Sequence, residues 1–263
     1  MSAISLSPQD LAIAASLVVF DAGLSVALRL RLHRQLLISA ARMVVQLVAV
    51  GFLLRLVFAM RHPAATLALV VVMALIAARE IAARSEHKLT KGWGLLLSTG
   101  GVLVATVVTV VLALATAIRP HPWYDARYAI TLTGIILGSV LNSGSLALDT
   151  LLSAVGLQRA AIEAQLALGA SFREATAPLV RDAVLRGLLP VINQMSAAGV
   201  ITLPGIMTGQ ILAGQDPVEA VKYQILLMFL LAGSSGLAAL IIAYGVAYRL
   251  TDERQRLRLD RMT

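Results

Sequence analysis

Residues 94–118 read GLLLSTGGVLVATVVTVVLALATAI, 25 residues without a charge. The hydrocarbon core of a bilayer takes about 20 apolar residues in helical form, so this stretch alone predicts a membrane-spanning helix. Six further apolar segments lie at roughly 10–28, 36–58, 64–82, 128–149, 187–203 and 222–248. The expected fold class is an all-α polytopic membrane protein with about seven transmembrane helices in one domain over 1–263. A membrane β-barrel would instead alternate apolar and polar residues in segments of about ten, and this sequence does not.

Composition agrees with that reading. The chain is 59% hydrophobic and 14% charged, where a soluble domain is about 45–50% apolar and about 25% charged. It has no cysteine, which excludes disulfides, iron–sulfur ligation and thiolate metal sites. The net charge of +8 reads as basic loops beside a membrane rather than a nucleic-acid surface. No basic residue precedes the first apolar run, so a cleavable signal peptide is not expected. The longest non-spanning stretches are 151–186, expected as a cytoplasmic helical loop between the fifth and sixth spans, and the basic tail 249–263.

Basic residues set the expected orientation. The loops holding Arg29, Arg31 and Arg34, then Arg79 to Lys91, then Arg159 to Arg186, together with the tail, carry 16 lysines and arginines. The opposite loops carry five: Arg55, Arg61, Arg119, Arg127 and Lys222. The positive-inside rule then places the N-terminus outside, and the C-terminus and residues 151–186 in the cytoplasm. The tail TDERQRLRLDRMT is expected as a polar helical extension at that surface, near anionic headgroups. The sixth segment is the least regular: Pro190 and Pro204 bracket it, and it holds Asn193, Gln194, Ser196, Gly199 and Thr202. It reads either as a short span or as a broken, re-entrant helix, which survives at membrane depth only where protein or a water path covers it.

Nothing in the chain looks catalytic. No lysine follows a glycine as a phosphate-binding loop requires, so the chain is not expected to bind ATP itself. His33, His62, His87 and His121 fall in loops on both sides, none with a partner at helical spacing, and no metal-ligand set emerges. Asp21 and Arg42 lie within the first two spans, about equally far from the turn between them. Charges at membrane depth are costly and usually paired, so an intramembrane Asp21–Arg42 ion pair is expected, with Gln46 one turn beyond Arg42 on the same inward face. It either fixes the hairpin or takes part in ion movement. On the fifth segment Gly134, Gly138, Asn142, Ser145 and Asp149 share a face: either a small-residue packing seam or a path lined by Asn142. The run NQMSAAGVITLPGIMTGQILAG, 193–214, concentrates polar groups and glycines. Its Asn193, Met195 and Met207 are path candidates; thioethers suit soft cations but also fill gaps. Between 172 and 187 the apolar positions Phe172, Ala175, Leu179, Ala183 and Leu185 suggest an amphipathic helix that Pro178 kinks or divides.

Residues 161–171, AIEAQLALGAS, form a short polar-and-alanine helix among these apolar spans. Glu163-Ala164 followed by Gly169-Ala170 resembles the docking segment by which permease subunits of ATP-binding-cassette transporters meet their ATPase. The importer-type pattern has a Leu-Pro about ten residues after its glycine; here Leu203-Pro204 lies more than thirty residues on. Over about 36–248 the chain resembles the FetB-type iron-export permeases of bacteria and the related plant aluminium-tolerance half-transporters. LALGASFREA, RDAVLRGLLP and GVITLPGIMTGQILAGQDPVEAVKYQI carry the likeness, notably Leu203-Pro204-Gly205, Met207, Gly209, Ala213-Gly214 and Asp216-Pro217. ARMVVQLVAVGFLL, with Arg42, Gln46 and Gly51, adds to it. The family often has Gly-Asn in the fifth span, where this chain has Gly138-Ser139.

The resemblance implies a homodimeric permease of the bacterial inner membrane, working with two copies of a separate ATPase. ATP and Mg would sit on that subunit, with no cofactor on this chain. Closure of the ATPases would be transmitted through helices around 157–172. The implied activity is export of iron or another metal and relief of metal or oxidative stress. The rival from the residues themselves is a stand-alone secondary transporter or channel for a small solute or ion.

Overall fold

The computed structural model describes residues 7–60, 62–85, 87–120 and 125–262; Arg61 and His121 of the sequence reading lie outside them. Among the described residues there are nine α-helices and no β-strand. Six helices are long and apolar enough to cross a membrane: α1 (Pro8–Ala27), α2 (His33–Met60), α3 (Pro63–Arg84), α4 with its π-helical extension (Trp93–Ile118), α5 (Ala126–Leu157) and α9 (Pro217–Arg249). Between the last two lie α6 (Arg159–Ala167), α7 (Phe172–Ala197) and α8 (Gly205–Leu212).

The sixth expected segment is not a helix of its own: it continues the amphipathic segment within α7. Ser171 opens α7 with a capping box, its hydroxyl accepting from the Glu174 amide while the Glu174 carboxylate accepts from the Ser171 amide. The helix then runs through both Pro178 and Pro190. At 26 residues it is about 39 Å long, long enough for a span, but Arg181, Asp182 and Arg186 lie along its middle. Phe172, Ala175, Leu179 and Ala183 are buried, as the amphipathic pattern predicts, while Leu185 is exposed. The helix stops where Gly199 takes φ +83°. There the amides of Ile201 and Thr202 turn back to the Ala197 carbonyl.

The chain forms two compact units. The first comprises Met1–His62 with Leu212–Gly214. Within it α1 and α2 form a hairpin, α1 opening on a Ser7–Asp10 capping box with Pro8 in its first turn. The Ser25 hydroxyl accepts from the Leu32 amide at 2.9 Å and holds the turn, in which Arg29 and Arg31 take positive φ. Ala22 and Ser25 are the buried face of α1; Asp21 and Arg42 are exposed. The expected Asp21–Arg42 pair is not among the ion pairs of the described residues. Asp21 lies six residues before the end of α1 and Arg42 nine after the start of α2, an axial offset of about 4.5 Å.

The second unit holds the remainder. In it α5 packs against α3, α4, α7 and α9, and α9 also packs against α4 and α7. The contacts are made through glycines. A methyl at Gly101 of α4 would sit 2.8 Å from Ile242 Cγ1, and one at Gly144 of α5 would sit 2.9 Å from Ile242 Cδ1 and 3.0 Å from Ile81 Cδ1. A methyl at Gly187 of α7 would sit 2.9 Å from the Ser143 carbonyl oxygen and 3.1 and 3.3 Å from the Ala239 and Ala147 methyls. The seam expected at Gly134 and Gly138 falls later along α5: Gly134 meets only the flexible end of Met73, and Gly138 has open space.

The tail is not the helical extension expected. Asp252 gathers it into a clasp, its carboxylate accepting from the amides of Arg254 and Arg256 and pairing with the Arg256 and Arg258 guanidiniums. These bonds, the Arg256 amide foremost, hold the Asp252 carboxyl at about 2. Gln255 takes φ +58° at the bend, and the Arg258 amide returns to the Leu250 carbonyl.

Gly187→Ala is expected to lower the thermal unfolding midpoint in detergent, since overpacking a close contact costs about 1–3 kcal/mol. Gly138→Ala, with nothing within 4 Å, should hold or raise it, because alanine is the better helix former. Equal effects of the two would refute the assigned seam.

Candidate functional site

Three side chains on one face of α5 line a polar cavity of about 360 Å3: Asn142, Ser145 and Asp149, with Leu146 beside them, Arg84 from α3 and Pro190 from α7. The spacing of three and then four residues puts the polar groups on a single stripe. The Ser85 hydroxyl donates to Asp149 Oδ1 at 3.1 Å, so the end of α3 holds the carboxylate in place. Arg84 is drawn toward Glu80, 3.8 Å away on its own helix. The Ser145 hydroxyl is buried without a partner among the described residues. A buried hydroxyl is normally hydrogen-bonded, so Ser145 has capacity for a ligand or water.

Carboxylate, carboxamide and hydroxyl oxygens are hard donors, suited to partly hydrated cations. Among the described residues no cluster of three or more His, Asp or Glu is placed to hold a metal.

Of the path residues read from sequence, Asn142 lines this cavity. Asn193 and Met195 are exposed on α7, one turn or so beyond Pro190, and Met207 is half-buried on α8. Arg42 and Gln46 are exposed on α2, in the first unit. Arg84 and Ser85 were missed: they adjoin Asp149 only through tertiary packing, and no local pattern marks them. Ser139 shares a 2.7 Å hydroxyl–hydroxyl bond with Ser235 of α9 and so ties α5 to α9.

The second element of interest is α6. Ile162, fully buried, and Leu166, partly buried, anchor it on the core; Glu163 and Ala164 face outward, and Leu157 and Leu168 at its two ends are 87% and 88% exposed. Glu163 pairs with Arg159 at 2.9 Å, both largely exposed, a contact worth little in water and easily exchanged for another. The helix ends in a Schellman motif, the Ala170 amide reaching the Gln165 carbonyl and the Gly169 amide the Leu166 carbonyl. Gly169 has φ +93°, which explains the glycine: a Cβ there is strained. Two residues on, the Ser171–Glu174 box starts α7. That Ser-x-x-Glu signal is visible in the sequence and was overlooked.

An all-helical chain with six helices long and apolar enough to cross a membrane among its described residues is that of a multi-pass membrane protein. Residues 8–251 match the uncharacterised protein family UPF0014, and the chain belongs to that family. It is 39% identical to "UPF0014 membrane protein slr1647" of Synechocystis over 87% of both chains. It is 30% identical to "Probable iron export permease protein FetB" of Escherichia coli over 98% of this chain and 97% of that one. To "Protein ALUMINUM SENSITIVE 3" of Arabidopsis thaliana it is 28% identical over 84% of this chain and 79% of that one. No solved structure matches.

Ser171→Ala is expected to weaken the α6–α7 junction by about 1 kcal/mol, read as roughly fivefold faster amide exchange over residues 173–176 with exchange in α5 and α9 unchanged. Unchanged exchange at α7's first turn would show that the cap contributes nothing.

Proposed function

We propose that this chain is the membrane permease subunit of an ATP-driven exporter of iron or another metal cation, relieving metal or oxidative stress. The observation that carries the reading is kinship along nearly the whole chain with a protein named as an iron export permease. The oxygen-lined cavity beside α5 supports it, because a hard cation passing between helices needs weak, sequential oxygen contacts. Asn142 and Asp149 would supply them, and the residues of 193–207 and of Arg42–Gln46 are further path candidates.

A separate ABC-type ATPase carries ATP and Mg2+ in this reading and docks on α6 through Glu163, Ala164 and the Gly169–Ala170 turn. The exposed leucines at both ends of α6 give such a partner apolar contact, and Glu163 gives it a charge. The permease works as a homodimer in the bacterial inner membrane, N-terminus outside and C-terminus inside, as the basic-residue asymmetry favours.

The test is to co-purify the chain with its candidate ATPase and reconstitute both in vesicles. Iron-stimulated ATP hydrolysis and iron movement are expected together; transport without any ATPase would instead establish a secondary carrier. Glu163→Arg is expected to abolish stimulation while the permease stays folded, and normal coupling in that variant would remove α6 as the dock. Asn142→Leu and Asp149→Asn are expected to reduce iron flux about tenfold or more with ATPase binding retained, the loss of one charged contact being worth about 1.5–3 kcal/mol. Unchanged flux in both would place the path elsewhere.

A further inference from the structure

Where the tail folds back beside the start of α4, a cleft of about 750 Å3 opens, lined by Trp93, Leu97, Tyr248, Arg249, Arg254 and Arg256, among others. The Arg249 guanidinium lies 4.6 Å over the Trp93 ring. Its Nε is buried without a partner among the described residues, and no ion pair there includes it. Arg254 is exposed, with only its backbone amide engaged, by Asp252. The tail's two aspartates are committed to other cations: Asp252 to Arg256 and Arg258, Asp260 to Arg258. Arg261 is fixed on the carbonyls of Arg249 and Thr251, 2.8 Å from each. Glu253 is the further acid on the cleft wall, and it leaves the arginines in excess.

We infer that this cleft binds the phosphate of an anionic phospholipid, with Arg249 and Arg254 as the phosphate ligands. A guanidinium with an unsatisfied, desolvated N–H is costly, and its planar fork suits phosphate oxygens. The position favours a lipid over free phosphate. Arg249 is the last residue of the α9 span and Trp93 the first of the α4 span, so the cleft lies at the edge of the apolar layer. Tryptophan and tyrosine concentrate at that level, and Tyr248 is 83% exposed beside it. Leu95 and Leu96, exposed on the first turn of α4, offer an apolar surface for acyl chains below the headgroup.

The test uses the full chain with Trp123→Phe, so that Trp93 is the sole indole, in neutral detergent. Short-chain phosphatidylglycerol is titrated against the phosphatidylcholine of equal chain length, and Trp93 fluorescence is read. Saturable binding of phosphatidylglycerol is expected, about tenfold tighter than phosphatidylcholine, as a charged bidentate contact implies. Arg254→Gln and Arg249→Gln should each weaken it, and Arg249→Lys should restore part of the loss; Arg119→Gln, outside the cleft, should not change it. Arg254 is exposed, so its variant tests the proposal even if Arg249→Gln fails to fold. Equal binding of the two lipids, or no effect of Arg254→Gln, overturns the inference. Competition by millimolar inorganic phosphate as effective as the lipid would assign the cleft to free phosphate and overturn the lipid.

Discussion

Ile242 occupies space that two other helices leave empty for it. Fully buried on α9, it reaches toward α4 at Gly101 and α5 at Gly144, where any side chain larger than hydrogen would collide with it. One turn on, the arrangement is reciprocated: Leu97 of α4 lies 2.8 Å from where a Cβ of Gly245 on α9 would be. In a bilayer, burial of apolar surface does not by itself bring helices together, because lipid tails are as apolar as leucine. Close approach and van der Waals contact must do so. The interlocked pairs Ile242–Gly101 and Leu97–Gly245 are that contact, and the register of α4, α5 and α9 depends on them.

This register positions the polar chemistry. Gly144, Ala147 and Leu148 of α5 are turned into the packing, while Asn142, Ser145 and Asp149, offset around the same helix, look into the cavity. Gly187 brings the α7 backbone against the Ser143 carbonyl, and Pro190, less than one turn later, reaches the cavity wall. One helix thus carries both the dry seam and the wet stripe, and a shift that spoiled the first would misplace the second.

The spans were legible because an uninterrupted apolar run of some twenty residues has few other meanings. The stripe on α5 was legible too, since helical spacing alone aligns Asn142, Ser145 and Asp149. Three things were not. The merging of two segments into α7 turns on caps and on the tolerance of two interior prolines, and proline ordinarily argues for a break. The Asp21–Arg42 pairing assumed equal depth in the hairpin, but the places of the two residues along α1 and α2 differ by about 4.5 Å. Arg84, Ser85 and the Arg249–Trp93 stack bring together groups far apart in the chain, which no local pattern reveals.

One helix, α7, joins the turn after α6 to the cavity beside α5. From Phe172 to Pro190 α7 covers 18 residues, about 27 Å, leading from the turn after α6 to the cavity. Its start is tied down twice: by the Ser171–Glu174 box and by the Gln255 side chain of the tail, whose oxygen accepts the Phe172 amide at 2.8 Å. Pro178 and Pro190 have no amide to give the Glu174 and Arg186 carbonyls, so α7 lacks two backbone bonds, the second of them beside the cavity that Asn142 and Asp149 line.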